Sequence, residues 1–505
     1  MAKPLILSID QGTSSTKCLL VDGGGDVIAR GSAPLAERHP RPGWVEQDAL
    51  EIVNSVRQAV RACLDGQDPR SVAAVGLSSQ RESLVAWDAR SGQPLAPVIS
   101  WQDQRTAEDD GALRSPENER LIAERSGLPL DPMFSAAKAR WLLDAIDPTR
   151  AKARAGALRL GTIDSWLLSR FGGAHIVEAG NASRTQLLDV RRAAWDDELL
   201  ALFGVPREAL PQIVSSTGPF PDATGLPPLP DGVPILGVLG DSHAALFAHG
   251  AFTPGAVKVT LGTGASVMGL IEAPETLAHG LCLTIGWSIE RPAFAAEGNI
   301  RAAGATLRWM AEVLGVTTEA LAELAAGATS DGVSVVPGFN GLGAPWWDRR
   351  AVGLVTGCTL ATGRGTLARA ALESIPHQVC DVVEAIDRSI GRVREVYADG
   401  GPTRNPVLMQ ILADWLGRPV LASRTSELSA LGAAHLAGLA AGMWSMTELS
   451  ALPRERIRFT PGADEAERRR IREGWRCAVA RALGERTAGR NDAPPSKKAV
   501  HTQGE

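Results

Sequence analysis

The sequence predicts an α/β protein with at least two domains. Short apolar runs alternate with a helical segment over the first hundred residues, which is the pattern of strands and helices packed together. The unit at 5–21, two apolar runs joined by a Gly/Ser/Thr turn, has an echo at 257–267, and such self-similarity indicates a duplicated half. A chain of 505 residues is also too long for one ordinary hydrophobic core.

The elements of the first hundred residues can be justified in chain order. Residues 5–9 and 18–21 are apolar runs that predict strands, and 27–30 predicts a third strand after a run of three glycines. Residues 47–64 carry apolar side chains three or four positions apart, which predicts a helix. Residues 72–77 predict a buried strand that ends in a polar cluster, and ligands of open α/β sheets gather at such ends.

The later elements repeat this logic. An apolar strand at 233–238 leads to Asp241, and a strand at 393–398 leads to a glycine turn and a helix that starts near Val407. Residues 463–484 are predicted to be helical and strongly charged. We therefore expect three parts: a first domain at 1–248, a second at 249–485, and a disordered tail at 486–505 that has almost no apolar residues.

Composition excludes several classes of protein. A hydrophobic content of 44% and a charged content of 22% are typical of a globular chain, and a net charge of −5 argues against a nucleic-acid platform. No apolar run approaches the ~18 residues that span a bilayer, and the amino terminus shows no signal peptide. Six scattered cysteines without a C-x-x-C pair predict reduced thiols, and so a cytoplasmic protein.

The segment 10–17 carries the first chemical signal. Its small residues, backbone N–H groups, hydroxyls and Lys17 suit phosphate oxygens, and Asp10 at the strand end is the kind of ligand that Mg²⁺ prefers. The spacing is not that of a Walker A loop. Taken alone, a Gly/Ser turn between strands is most often only a turn.

Ten short motifs stand in order along residues 5–460, and together they resemble the FGGY family of sugar kinases, most of all its glycerol kinase branch. The motifs are 10–17, 80–82, 101–103, 161–167, 181–185, 240–241, 262–264, 341–345, 399–401 with Asn405, and 430–434.

The resemblance implies two actin-like, ribonuclease-H-like domains with an interdomain cleft for ATP, and the polyol mainly in the first domain. It implies ATP-dependent transfer of the γ-phosphoryl group to a primary hydroxyl of glycerol or a closely related small polyol. The family's general base matches Asp241, and Asp10 would serve Mg²⁺. The implied polyol-binding residues are Arg81, Glu82, Trp101, Met133, Asp241 and Ser242, and the implied nucleotide-binding residues are Thr13, Ser14, Ser15, Lys17, Gly262, Thr263, Gly304, Arg308, Gly401 and Asn405. The family often forms homodimers or homotetramers.

The residues by themselves leave alternatives open. Asp241 suits either a general base or a helix cap, since Asp favours helix starts. Arg81 beside Glu82 offers a donor fork and an acceptor for vicinal hydroxyls, but Arg–Glu dipeptides are commonly solvated surface pairs. Trp101 fits a core position as well as a pocket wall, although its polar neighbours favour a cleft.

Four positions depart from glycerol kinases. Met133 stands where they carry a Tyr, Ser242 where they carry a Gln, Ser266 near an aromatic pocket residue, and Arg308 at a Gln that approaches the nucleotide. Two of these changes remove bulk beside the substrate, and Met is a flexible apolar chain. Our hypothesis is a wider pocket that accepts a larger polyol or ketose, such as erythritol, xylitol or xylulose.

A fifth difference concerns regulation. The stretch 219–233 is Pro-rich and lacks Arg where many bacterial glycerol kinases bind fructose bisphosphate, so we predict that this feedback is missing.

Other interpretations compete with that of a glycerol kinase. The Arg81–Glu82 pair argues against the xylulose kinase branch, which carries a different dipeptide. An actin- or Hsp70-like ATPase is another alternative, but such a protein would need neither this pair nor a base at Asp241. A kinase-like protein that has lost catalysis is a further one, but it would not need Asp10 and Thr13.

Overall fold

Two mixed β-sheets, one in each half of the chain, dominate the architecture. The structure is a computed structural model that describes residues 4–107, 113–274, 277 and 280–484. The predicted tail at 486–505 lies outside the described residues. The first sheet has six strands, in the spatial order Asp222–Ala223, Val233–Gly240, Val72–Ser79, Leu5–Gln11, Ser15–Val21 and Val27–Pro34.

The second sheet repeats the local topology of the first. In the first sheet, Leu5–Gln11 pairs antiparallel with Ser15–Val21 and parallel with Val72–Ser79. In the second, Ala256–Leu261 pairs antiparallel with Ala265–Leu270 and parallel with Glu395–Asp399. The echo seen in the sequence is therefore a true repeat of the same hairpin and neighbour. The seven strands lie in the order Cys282–Ser288, Pro292–Ile300, Ala265–Leu270, Ala256–Leu261, Glu395–Asp399, Val420–Ser423 and Arg456–Phe459.

The remaining strands form small sheets beside these two. A four-stranded sheet has the order Glu46–Gln47, Val98–Ile99, Leu84–Asp88 and Leu158–Thr162. The two-stranded sheets are Leu188–Asp189 with Ala194–Trp195, Gln212–Val214 with Ile176–Glu178, and Ser334–Val336 with Leu354–Thr356.

Helices cover the sheets in both halves. In the first half they are Ala49–Leu64, Pro116–Ser126, Ser135–Ile146, Ala151–Arg154, Ile163–Gly172, Ala179–Ala182, Asp197–Phe203 and Asp241–Ala248. In the second half they are Gly304–Leu314, Thr318–Ala326, Arg364–Ile390, Pro406–Leu416, Leu428–Ala440, Met446–Ala451 and Glu465–Ala482. Short 3₁₀ turns lie at Pro69–Ser71, Arg207–Ala209 and Gly401–Arg404.

Each half has its own hydrophobic core. The helix Ala49–Leu64 begins where Asp48 accepts from the N–H groups of Leu50 and Glu51, and its apolar stripe is buried against the first sheet. The long helix Arg364–Ile390 lies in the core of the second half. None of the described helices is both long and apolar enough to cross a membrane.

One helix of the second half packs on the sheet of the first. A Cβ atom added to Gly76, in a central strand, would lie 2.3 Å from the carbonyl oxygen of Ala433. A Cβ added to Gly432 would lie 1.8 Å from the carbonyl oxygen of Ala244. Only glycine permits such close approach, so the helix Leu428–Ala440 ties the two halves together behind the strand that precedes Asp241. The boundary near 249 stays a prediction.

Candidate active site

Asp241 is presented at the carboxyl end of a central strand. The strand Val233–Gly240 ends directly before it, and Asp241 is the first residue of the following helix. Gly240 occupies the cap position, and Asp241 Oδ1 accepts from the adjacent N–H of Ser242 at 2.6 Å. The Asp241 side chain is 38% exposed. Asp241 is therefore not the helix cap, and its carboxylate is open on one side.

Arg81 reaches Asp241 from the neighbouring parallel strand, Val72–Ser79. Its Nε lies 3.3 Å from Asp241 Oδ1. Desolvation by the surrounding protein raises the pKa of Asp241, and the Arg81 guanidinium opposes this rise. Because Arg81 and Glu82 are both buried, they are not the solvated surface pair that the dipeptide alone allowed.

A buried ionic cluster surrounds this contact. Arg81 donates from Nη1 and Nη2 to the two carboxylate oxygens of Glu297, at 2.9 and 2.7 Å. Arg184 lies 2.6 Å from Glu82 Oε1 through its Nε and 3.0 Å from Glu297 Oε2 through its Nη1. Burial would raise the pKa of Glu297, but Arg184 and Arg81 outweigh it and hold the pKa well below its ordinary value. Two guanidiniums and two carboxylates balance in charge, which is what makes such burial tolerable.

Arg81 keeps one donor uncommitted. Its Nη1 and Nη2 bind Glu297, whereas Nε is a buried polar atom with no hydrogen-bond partner among the described residues. Leaving a buried donor unpaired costs about 1–3 kcal/mol. The carboxylate of Asp241, 3.3 Å away, is the charged group beside this donor.

Glu82 adopts an unusual backbone conformation. Its φ is 61°, in the left-handed region that non-glycine residues rarely occupy. The Oγ of Ser135 donates to its carbonyl oxygen at 2.9 Å, and the N–H of Ser83 donates to the carbonyl oxygen of Arg81 at 2.7 Å. These bonds hold the strained turn, and such strain is typical of functional sites.

The first phosphate-facing turn connects directly to Trp101. The indole Nε1 of Trp101 donates to Thr13 Oγ1 at 3.0 Å, and Gln47 Nε2 donates to the Thr13 carbonyl oxygen at 2.6 Å. Ser14 is exposed at the tip of the turn, and Ser15 and Lys17 are half-buried. The structure thus brings a residue assigned to the polyol against one assigned to the nucleotide.

Asp10 lies beside the same edge. Ser78 Oγ donates to Asp10 Oδ1 at 2.9 Å, and Lys17 is its cross-strand partner. Burial and then the nearby charge of Asp241 raise the pKa of Asp10 to about 6. A cation bound here would offset the repulsion between the two carboxylates. The described residues contain no group of three or more His, Cys, Asp or Glu that could hold a metal, so a Mg²⁺ here would depend on Asp10, phosphate oxygens and water.

The second turn packs against the start of the helix Gly304–Leu314. The N–H of Gly304 donates to the carbonyl oxygen of Gly262 at 2.9 Å, and a Cβ on Gly304 would lie 2.6 Å from that oxygen. The side chain of Arg308 donates from Nη2 to Thr263 Oγ1 at 3.3 Å. These four residues, far apart in sequence, form one contiguous surface.

The turn at 400–405 completes this edge. Gly400 has a φ of 95°, and a Cβ there would lie 1.9 Å from the carbonyl oxygen of Leu261, next to Gly262. Gly401 is exposed, and Asn405 Oδ1 caps the helix Pro406–Leu416 by accepting from two backbone N–H groups at 3.0 and 3.2 Å.

Met133 and Ser266 have different surroundings. Met133 is half-buried beside Phe134 and Trp347, and the ring of Phe134 lies 5.0 Å from the Arg184 guanidinium carbon. Ser266 Oγ donates to Glu297 Oε1 at 2.9 Å, so this side chain belongs to the ionic cluster.

Sequence reasoning missed the charged residues around Arg81 and Glu82. Arg184 stands within one of the motifs but without an assigned role, and Glu297 lies in a mostly apolar strand, Pro292–Ile300. A lone acid in a buried strand is the signal that could have found it. His243 is buried, 3.3 Å from Arg81 Nη1 and 3.2 Å from Thr284 Oγ1, and burial holds its pKa well below the ordinary value.

Comparisons with known proteins show which family the chain belongs to. The description "FGGY family of carbohydrate kinases, N-terminal domain" matches residues 5–248, and the C-terminal domain of that family matches residues 257–441. An apulose kinase of Pectobacterium atrosepticum is 42% identical over 490 residues, which cover 95% of this chain and 99% of the relative. A glycerol kinase of Aromatoleum aromaticum is 43% identical with the same coverage of both chains.

The fold has a solved counterpart as well. A crystal structure of Plasmodium falciparum glycerol kinase with ADP matches with a TM-score of 0.88 at 28% identity, over 95% of this chain and 98% of that one. The resemblance read from the ten motifs and the two-lobed α/β architecture are confirmed. The chain belongs to the FGGY family of carbohydrate kinases and is an ATP-dependent polyol kinase.

Proposed function

We propose that this kinase phosphorylates a primary hydroxyl of a small polyol or ketose held against the exposed side of Asp241 and beside the Arg81–Glu82 pair, with Asp241 as the general base. The main support is the one-sided exposure of the Asp241 carboxylate, 3.3 Å from Arg81 Nε. A carboxylate that a ligand reaches on one side and a guanidinium holds on the other can take the proton of an attacking hydroxyl. Such base catalysis contributes roughly 10²–10⁴ in rate.

Both Arg81 and Glu82 would bind the polyol. Each hydroxyl of a polyol donates and accepts a hydrogen bond. Arg81 Nε is an unpaired donor among the described residues, and the carboxylates of Glu82 and Asp241 are acceptors close to it. Trp101 would form the wall that separates the polyol from the phosphates.

The nucleotide would lie between the two turns. Phosphoryl transfer asks a protein mainly for positioning and charge neutralisation. On the first side the support comes from Thr13, Ser14, Ser15 and Lys17, and on the second from Gly262, Thr263, Gly304 and Arg308. We assign the adenosine end to Gly401 and Asn405.

We assign a Mg²⁺ ion to Asp10. The raised pKa of this carboxyl and its closeness to Asp241 are consistent with a place for a cation, and Mg²⁺ is commonly held by one or two carboxylates together with substrate phosphates. When bound, the ion would neutralise charge on the phosphates. The carboxylate of Asp10, oriented by Ser78, would hold it in place.

The substrate is proposed to be larger than glycerol. Identity does not decide between the named relatives, since an apulose kinase and a glycerol kinase are almost equally similar. Met133 is a flexible, half-buried side chain beside Phe134, and the hydroxyl of Ser266 is turned to Glu297. Both features favour a ligand that extends beyond three carbons.

A substrate panel with ADP detection tests this function. Glycerol, erythritol, xylitol, xylulose and apulose are compared by kcat/KM, with Asp241→Asn as the chemical control. We expect a substrate larger than glycerol to have the highest kcat/KM and the variant to lose about 10²-fold or more in kcat. Highest efficiency on glycerol would overturn the larger substrate, and an unimpaired variant would overturn the base. ATP hydrolysis that no polyol stimulates would favour an actin-like ATPase.

Three expectations from the sequence stay proposals: a cytoplasmic location, a homodimer or homotetramer, and the absence of fructose bisphosphate feedback at 219–233. Sedimentation of the enzyme measures its oligomeric state and so tests the second expectation. Inhibition by micromolar fructose bisphosphate would contradict the third.

A further inference from the structure

Glu297 belongs to the second half of the chain and contacts Arg81, a residue of the proposed polyol site in the first half. It lies on the strand Pro292–Ile300, and its side chain is completely buried. Both of its oxygens face the guanidinium of Arg81, in a two-pronged contact at 2.7 and 2.9 Å. Paired bonds of this kind fix the plane of a guanidinium as well as its position.

The other contacts of Glu297 leave it no freedom to turn. Its Oε1 accepts from Ser266 Oγ at 2.9 Å and from Asn299 Nδ2 at 3.1 Å, and its Oε2 lies 3.0 Å from Arg184 Nη1. Ser266 and Asn299 face each other across two paired strands of the second sheet. The carboxylate is thus held by its own half on one side while it holds Arg81 on the other.

This geometry decides which nitrogen of Arg81 lies against Asp241. Nη1 and Nη2 each give one N–H to Glu297, and Nη1 also lies 3.3 Å from His243 Nε2, so Nε is the nitrogen beside Asp241. Without that commitment the guanidinium would be free to turn its fork towards Asp241 or Glu82, both within 4.0 Å of Nε.

We propose that Glu297 is the positioning residue for Arg81: from the second half of the chain, it sets the donor that recognises the polyol and flanks the base. The inference rests on the proposed function, because it assumes that Arg81 binds polyol. Its consequence is that polyol affinity depends on the seating of the second half against the first. The strand that pairs with Pro292–Ile300, Ala265–Leu270, directly follows the turn of Gly262 and Thr263, so one rigid unit carries both the Arg81 anchor and a nucleotide contact.

The test is Glu297→Gln in the full-length enzyme, with steady-state kinetics on the best polyol of the panel. The amide keeps the shape but offers one acceptor in place of two and leaves one guanidinium uncompensated. We expect the KM for polyol to rise about tenfold or more, while the KM for ATP stays within about twofold. A general loss of folding would not separate the two constants in this way.

A double-mutant cycle with Arg81→Lys isolates the route of the effect. If Glu297 acts through Arg81, the loss in kcat/KM for polyol in the double variant will be clearly smaller than the product of the single losses. Independent, multiplying losses would overturn the proposal.

The matched control is Asp381→Asn. Asp381 is another buried carboxylate of the second half, paired with Arg472 and accepting from Trp475 Nε1 at 2.8 Å, and it has no assigned role in the site. We expect it to lower the melting temperature without changing the KM for polyol. An equal change in that KM in both variants would overturn positioning.

If Glu297→Gln does not fold, Ser266→Ala takes its place. It removes one bond to Glu297 and one acceptor of Lys258, but no charge. The same KM should rise about threefold, and an unchanged KM would overturn the proposal. Different outcomes would overturn the proposed function and the positioning role of Glu297. A wild type that phosphorylates no polyol overturns the function, and the positioning role with it. An active wild type with an unaffected Glu297→Gln variant overturns the positioning alone.

Discussion

The two equivalent hairpins, one in each main sheet, share a backbone topology but differ in their side chains. Counted back from their Gly–Thr turns, Asp10 in the first hairpin corresponds to Thr260 in the second. The cross-strand partner is Lys17 in the first and Ser266 in the second. The parallel neighbour of Asp10 is the hydroxyl residue Ser78, whereas the neighbour of Thr260 is the acid Asp399.

The charge distribution follows from these exchanges. The first hairpin places the half-buried carboxylate of Asp10 at the end of a central strand. In the second, the buried amine of Lys258 donates to Thr260 Oγ1 at 3.0 Å and to Ser266 Oγ at 3.2 Å, so the equivalent positions point their hydroxyls inward. The two hairpins thus share a frame, and of the two equivalent positions only that of the first hairpin carries an acid, at the place to which we assign the cation.

The sharpest way to break this comparison is to neutralise the two equivalent positions. Asp10→Asn should lower kcat by about 10²-fold or more, because it removes the charge that we propose holds Mg²⁺ against the phosphates. Thr260→Val should change kcat far less, since the Thr260 hydroxyl accepts from Lys258 of its own hairpin. Mg²⁺ titration of both variants in the ADP-detected assay measures the difference. Equal losses would mean that the hairpins are chemically equivalent.

A smaller effect is expected from the packing of the second turn. In Gly304→Ala, the new Cβ would lie 2.6 Å from the carbonyl oxygen of Gly262, a backbone atom that can move only with the turn itself. We expect the KM for ATP to rise about tenfold with little change in the KM for polyol. Gly363→Ala is the matched control, because a Cβ there meets no atom within 4 Å. An unchanged KM for ATP in Gly304→Ala would separate this turn from the nucleotide.

The donors to the two threonine hydroxyls sharpen the contrast further. Trp101 Nε1 binds Thr13 at 3.0 Å, and Arg308 Nη2 binds Thr263 at 3.3 Å. Trp101→Phe should raise the KM values of both substrates about fivefold, because we assign the indole to the wall between their proposed sites. Arg308→Met should raise only the KM for ATP. Identical patterns in the two variants would contradict the assignment of Trp101 to the polyol wall.

Local features of this chain were readable from the sequence, and contacts between its halves were not. The strand before Asp241 and the repeated hairpins follow from apolar runs and glycine turns, which are local signals. The strand predicted at 5–9 extends to Gln11, because pairing on both sides continues past the apolar run. The salt bridge from Arg81 to Glu297 joins residues 216 positions apart, and no periodicity encodes such a register.

The helix Leu428–Ala440 is a second case. Its small residues, Ala430, Gly432 and Ala433, suggest close packing, but the sequence does not say against what. The structure shows that they allow contact with the sheet of the other half. Long-range packing partners are fixed by the complete core, which no single segment contains.

The smallest expected effect is a pH-dependent one on stability. The pKa of Asp10 is about 6 in the folded protein against an ordinary 3.8. Between these values the folded protein holds a proton that the unfolded chain has released, so this group's contribution to stability is greatest below about pH 4 and falls as pH rises through 6. Asp10→Asn removes that loss. Its melting temperature relative to wild type should therefore climb by about a few degrees between pH 4 and 6.5 without Mg²⁺. Thr260→Val, which carries no titrating group, should show a constant difference from wild type. A constant difference for Asp10→Asn as well would mean that the pKa of Asp10 is not raised in the folded protein. The electrostatic contrast between the two hairpins would then have no support.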